Sequence, residues 1–204
     1  MAVTSYLSCG TAADDSGIGT MTWAQNSFST PLAGTELSSN DNVVAGVATP
    51  SSGGTSHYLK CTNFGFTSGD VPSGSTINGF EIEVRETTST PAVSSTLVKL
   101  VKGGSVVGND IGAAGDWPGT ETAVVYGSST ELGGQSWTQS DVVASNFGCV
   151  ISITIGTSRF MPSFGYNVDQ VRIRVYYTAP SQSITGIASV SYTHLRAHET
   201  VLDL

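Results

Sequence analysis

Apolar and charged side chains alternate without a break at Phe80-Glu81-Ile82-Glu83-Val84-Arg85. Phe80, Ile82 and Val84 must then face one way and Glu81, Glu83 and Arg85 the other, which is the signature of an antiparallel strand with one wet face. The same period returns at Val171-Arg172-Ile173-Arg174-Val175-Tyr176-Tyr177 and at Cys149, Ile151, Ile153 and Ile155. Leu97 to Lys102, Gly103-Gly104 and Ser105 to Gly108 read as a tight hairpin, because two glycines supply the positive φ that such a turn needs. Thr122 to Tyr126 adds a strand, and weaker ones are expected at Thr20 to Ala24, Val43 to Ala48, His57 to Thr62 and near Gly65-Phe66.

Helical patterning is confined to Thr138-Gln139-Ser140-Asp141-Val142-Val143-Ala144. There Thr138 is placed as an N-cap and Asp141 as its capping-box partner, which supports one or two turns. Loops rather than crossover helices therefore join some eight to ten strands, and the expectation is an all-β fold, an antiparallel β-sandwich of jelly-roll type. A chain of 204 residues is of single-domain size, assigned here to residues 1–178 with a linker over 179–189. Asn63-Phe64-Gly65 and Asn146-Phe147-Gly148 echo each other, each placed at a strand start.

Charged residues are only 12% of the chain, against ~25% in an average soluble domain. Polarity comes instead from Ser, Thr, Asn and 24 Gly, which disfavours a coiled coil. With 8 Lys+Arg against 16 Asp+Glu the net charge is -8, and no basic cluster could neutralise a row of phosphates, so no nucleic-acid partner is expected. Apolar runs fall far short of the ~20 residues of a membrane-spanning helix, and the opening MAVTSYLSCG lacks the basic and apolar regions of a secretion signal.

Chemistry is sparse. Cys9, Cys61 and Cys149 have no Cys-x-x-Cys spacing and read as free, buried thiols. No G-x-S-x-G, G-x-x-x-x-G-K or H-E-x-x-H motif occurs. Asp110, Asp116, Glu121 and Glu131 sit on or beside glycine-rich loops and read as solvated charges, with calcium ligands or a glycosidase acid/base pair as the alternatives weighed. Trp23, Trp117 and Trp137 with Tyr58, Tyr126 and Tyr166 are expected mostly in the core. A sugar-binding reading requires Trp117, Tyr126 and Trp137 to be exposed together at one edge of the sandwich. No catalytic residue, cofactor or metal ligand is assigned, and the protein is expected not to be an enzyme.

The character of the chain changes after Ser189. Val190-Ser191-Tyr192-Thr193-His194-Leu195-Arg196-Ala197-His198-Glu199-Thr200 resembles a translated sequencing adapter, with Val201 to Leu204 as further readthrough. His194 and His198 are spaced like a helical metal pair but belong to this string, so no metal site is read from them. The natural chain is expected to continue past Ser189.

From Tyr6 to Thr178 an ordered series of phrases is present: Tyr6-Leu7-Ser8, Ala13-Asp14-Asp15, Trp23, Tyr58-Leu59, Asn63-Phe64-Gly65-Phe66 and Ile77-Asn78-Gly79-Phe80-Glu81-Ile82-Glu83-Val84. There follow Leu100-Val101-Lys102-Gly103-Gly104, Val107-Gly108, Trp117-Pro118, Tyr126-Gly127, Trp137-Thr138, Asp141-Val142, Asn146-Phe147-Gly148 and Val168 to Tyr177. In this order they resemble a family of β-sandwich domains in the structural proteins of tailed bacteriophages. The chain departs from the family pattern at Leu132-Gly133-Gly134, where a tryptophan is usual, and at Ile111-Gly112-Ala113. The resemblance implies a non-enzymatic virion protein of the tail or adsorption apparatus, acting through contacts with other virion proteins; a homo-oligomer is compatible with it, and the sequence does not fix the oligomeric state. A carbohydrate- or receptor-binding adhesion module, with a host surface glycan as partner, is the alternative.

Overall fold

The computed structural model describes residues 1–26, 30–48, 52–89, 93–156 and 165–181. In chain order its elements are β1 (Ala2–Val3), β2 (Leu7–Ser8), β3 (Thr11–Asp15), β4 (Ala24–Gln25), β5 (Ala45–Ala48), β6 (Gly54–Thr55) and β7 (Tyr58–Thr62). Next come β8 (Thr76–Thr88), β9 (Val93–Lys102), β10 (Ser105–Val107), β11 (Ala113–Ala114), β12 (Thr122–Ser128), the single turn α1 (Gln139–Val142), β13 (Gly148–Ile155) and β14 (Gly165–Thr178).

Two antiparallel sheets result. The first runs β12-β8-β14-β5-β4, with β1 and β2 also bonded to β14; the second runs β10-β9-β13-β7-β3, with β11 on β9 and β6 on β13. Two-residue alternation dictates what lies between them. On the first sheet Phe80 is paired with Val175, Ile82 with Ile173 and Val84 with Val171, all fully buried. On the second, Leu100, Cys149 and Cys61 form one buried row and Val98, Ile151 and Leu59 the next. Across the interior, Phe80 meets Phe147 with ring centroids 5.5 Å apart and Trp137 at 5.0 Å. This is the expected antiparallel sandwich.

The two long strands supply most of the frame. Their ladder has an irregularity between Val168 and Gln170, and the extra residue, Asp169, is buried. Its carboxylate accepts the Asn42 N–H at 3.1 Å, tying the 41–42 turn onto β14. Gly148 is placed where a Cβ would lie 1.9 Å from the Cys61 carbonyl oxygen, so the β7–β13 approach requires glycine there.

Several expectations are corrected. Thr20 to Ala24 forms only an isolated bridge at Met21 before the short β4, and the Gly65-Phe66 region is not a strand. Asn63-Phe64-Gly65 follows the end of β7 instead of opening a strand, although Phe64 and Phe147 do meet, at 6.5 Å. The capping box forms as read: the Thr138 Oγ1 accepts from the Asp141 N–H, and the Asp141 carboxylate accepts from the Thr138 N–H at 2.8 Å. Residues 182–189 of the linker and the whole adapter-like string lie outside the described residues, as do His194 and His198. Among the described residues, no helix is long and apolar enough to cross a membrane.

Candidate functional site

The outward positions of β8 and β14 bring opposite charges into register. Arg172 is paired with Glu83 and Arg174 with Glu81, the cross-strand arrangement in which unlike charges support a sheet. Arg172 donates from Nε to Glu83 Oε1 at 3.1 Å and from Nη2 at 2.5 Å. Arg174 donates from Nε to Glu81 Oε2 at 2.6 Å and makes a second, shorter contact from Nη2. Tyr176 follows on the same face opposite Gly79, and its hydroxyl donates to Glu81 Oε1 at 2.9 Å.

Tyr6 completes the patch. The segment between β1 and β2 runs along the edge of β14, and Tyr6 reaches back over that strand to donate to Glu81 Oε2 at 3.0 Å. Its ring covers Arg174 at 4.7 Å and Arg172 at 5.2 Å, while Arg174 also lies 5.4 Å from the Tyr176 ring. Both phenols are half-buried and their positions are fixed by cation–π contact and hydrogen bonding. Partial burial and the bond to Glu81 push the Tyr6 hydroxyl up to about 12. Burial alone would raise Glu81, but the donors Arg174, Tyr176 and Tyr6 outweigh it and hold the carboxyl below its ordinary value. The face is therefore a rigid array of two rings, two carboxylates and two guanidinium groups.

A concavity of about 660 Å³ lies at the β3 edge, lined among others by Thr11, Asp14, Thr22, Trp23, Pro31 and Leu32. Trp23 and Asp14 are committed to the fold. Trp23 donates its backbone N–H to Asp14 Oδ1 and its indole N–H to the His57 carbonyl, each at 2.8 Å, and Asp14 Oδ2 lies 2.8 Å from His57 Nδ1. Trp23 is 1% exposed, so this groove offers no ring face comparable to Tyr6 and Tyr176.

The aromatic residues singled out by sequence do not form an exposed edge. Trp117, Tyr126 and Trp137 are 3%, 5% and 8% exposed. The Trp117 indole donates to Thr96 Oγ1 at 2.8 Å and its ring meets Tyr166 edge-on at 6.0 Å. Tyr126 donates to the buried Glu86 at 3.0 Å, and Trp137 packs on Phe80 and Phe147. The physical reason is that the loops carrying the tryptophans fold over the open ends of the sandwich, where large rings close the core.

The loop carboxylates serve local roles. Asp110 accepts from the Val98 and Gly112 N–H groups, Glu131 from the Gly133 N–H, and Glu121 pairs with Arg85 at 3.2 Å. Asp116, Glu131 and His57 are not gathered into one pocket. Among the described residues, no group of three or more His, Cys, Asp or Glu is arranged to hold a metal ion. The three cysteines are free and buried, and burial pushes the Cys61 thiol up. Tyr6 and Tyr176 were not anticipated as a pair; the available signal was the complementary charge of the Glu81/Glu83 and Arg172/Arg174 strands, which reads as a site only once β8 and β14 are known to be neighbours.

No family model matches the chain, and no curated protein matches it. Among solved structures it is similar to one described as "CBM4 structure and function", with 14% identity and a TM-score of 0.35 over 83% of this chain and 94% of that one. It is also similar to the N-terminal cellulose-binding domain of β-1,4-glucanase C from Cellulomonas fimi, with 15% identity and a TM-score of 0.34 over 86% of this chain and 98% of that one.

Proposed function

We propose that the domain is a non-catalytic binding module that receives a carbohydrate on the outer face of β8 and β14. The observation that carries this reading is the placement of Tyr6 and Tyr176 about the Arg174 guanidinium, with Glu81 fixing both phenols. Sugar rings present apolar C–H faces that stack on aromatic rings, and hydroxyls that suit planar carboxylate and guanidinium groups. Rings and charges already locked in place lose little entropy when a ligand arrives. Two Arg and two Glu balance, which favours a neutral saccharide over a charged one.

Isothermal titration against neutral oligosaccharides, chosen by a glycan array, tests the reading. Tyr6→Ala and Tyr176→Ala should each weaken binding by about tenfold while the fold persists. A blank array, or binding indifferent to both substitutions, would overturn it.

A second reading places the module on a tailed-phage particle, in contact with other virion proteins. What favours it is that the first and last phrases of the family resemblance, Tyr6-Leu7-Ser8 and Val168 to Tyr177, lie side by side where β2 pairs with β14. Mass spectrometry of purified virions from a host carrying the gene tests this directly, and absence of the chain from the particles would count against it.

A further inference from the structure

A sandwich has four lateral edges, and a strand left unpaired at an edge is a template for another chain unless it is short, charged or covered. Three of the four are managed here. β4 is two residues long, and Gln25 is bonded onward to Thr30; β10 has three residues; β3 carries Asp14 and Asp15, and its Ala12 N–H is taken by the Gly34 carbonyl at 2.8 Å. The fourth, β12, is different. It has seven residues, Thr122-Ala123-Val124-Val125-Tyr126-Gly127-Ser128, without a charge or a proline. β8 covers one side of it along its whole length. Among the described residues, no backbone group of Thr122 to Gly127 bonds to anything beyond that ladder. Val125, at the middle of the strand, is 48% exposed.

From this we infer that β12 is a self-association edge, pairing antiparallel with β12 of a second copy of the chain. The segment is self-complementary about Val125: the two valines oppose each other, Val124 opposes Tyr126, Ala123 opposes Gly127 and Thr122 opposes Ser128. A two-fold axis through Val125 thus closes the contact and joins the two first sheets into one. Charge selects the edge. The chain carries -8, and a second copy approaching β3 would set carboxylates against carboxylates, whereas β12 is neutral and Glu121 at its head is paired with Arg85. This inference does not depend on what the Tyr6 face binds.

The test is sedimentation of the full chain across micromolar to millimolar concentration, with two single substitutions at the axis. The chain should form a concentration-dependent dimer. Val125→Lys and Val125→Glu each set like charges opposite one another and should each weaken dimerisation at least tenfold, while an equimolar mixture of the two should restore it. Circular dichroism confirms that both variants remain folded. A chain that stays monomeric at millimolar concentration, variants that dimerise as the parent does, or a mixture that fails to associate would each overturn the inference.

Discussion

Tyr6 and Glu81, seventy-five residues apart in the chain, meet at 3.0 Å over the face of a strand that belongs to neither of them. Glu81 also holds Arg174 and Tyr176, so it is the hub of the patch. Replacing it with Gln removes the charge that both phenols and the guanidinium share and should cost about 2 kcal/mol, whereas Tyr6→Phe, which deletes one hydroxyl and keeps the ring, should cost about 1 kcal/mol. Urea denaturation of the two variants beside the parent measures both. Equal costs would show that Glu81 is not the hub.

Glu86 points into the core beside Val168 and Thr122, where burial pushes its carboxyl up to about 7 against the opposing effect of the Tyr126 hydroxyl bond. The folded chain therefore keeps a proton that the unfolded chain loses near 4.5. Its contribution to stability is full below pH 4.5 and is lost as pH rises through 7. Glu86→Gln should match the parent in acid and exceed it above pH 7, by up to ~3 kcal/mol. Thermal melts of both proteins from pH 4 to 9 test this, and comparing them at each pH cancels Glu81, Asp15 and Asp141, whose lowered values act in the opposite direction. A stability difference that does not change with pH would refute the assignment.

Gly148 and Gly119 give a contrast on the same substitution. An added Cβ at Gly148 would strike backbone, while at Gly119 its nearest neighbour is 4.0 Å away. Gly148→Ala should destabilise by about 3 kcal/mol or prevent folding, and Gly119→Ala should stay within about 0.5 kcal/mol of the parent. Chemical denaturation midpoints separate the two outcomes.

Thr138→Ala removes the N-cap of α1 and leaves Asp141 without its hydroxyl partner. About 1 kcal/mol of stability should be lost, read from the same denaturation curves.

Period-two alternation was enough to place β8 and β14 and to orient their side chains, because each has one dry and one wet face; β13 was found from the period of Cys149, Ile151, Ile153 and Ile155, although its other face is buried as well. The capping box was legible for a similar reason, since its two partners are three residues apart. Two-residue strands such as β1, β2 and β6 carry too few positions for any period to register. Glu86 defies the pattern, being a carboxylic acid at an inward position, and nothing local announces the Tyr126 hydroxyl that receives it. The Tyr6 patch draws on segments separated by up to 170 positions and becomes visible only with the strand order. The tryptophans lie in the core as expected, and Trp117, whose glycine-rich loop left an exposed ring open as an alternative, is buried because that loop folds inward.

Ala2 pairs with Tyr177 and Val3 with Tyr176, so the first strand runs back alongside the last. Tension applied between the two ends of the domain would therefore peel β1 away one hydrogen bond after another, instead of loading a whole ladder in shear. Anything tethered through both ends would feel an early, low-force give, with the sandwich behind it left closed.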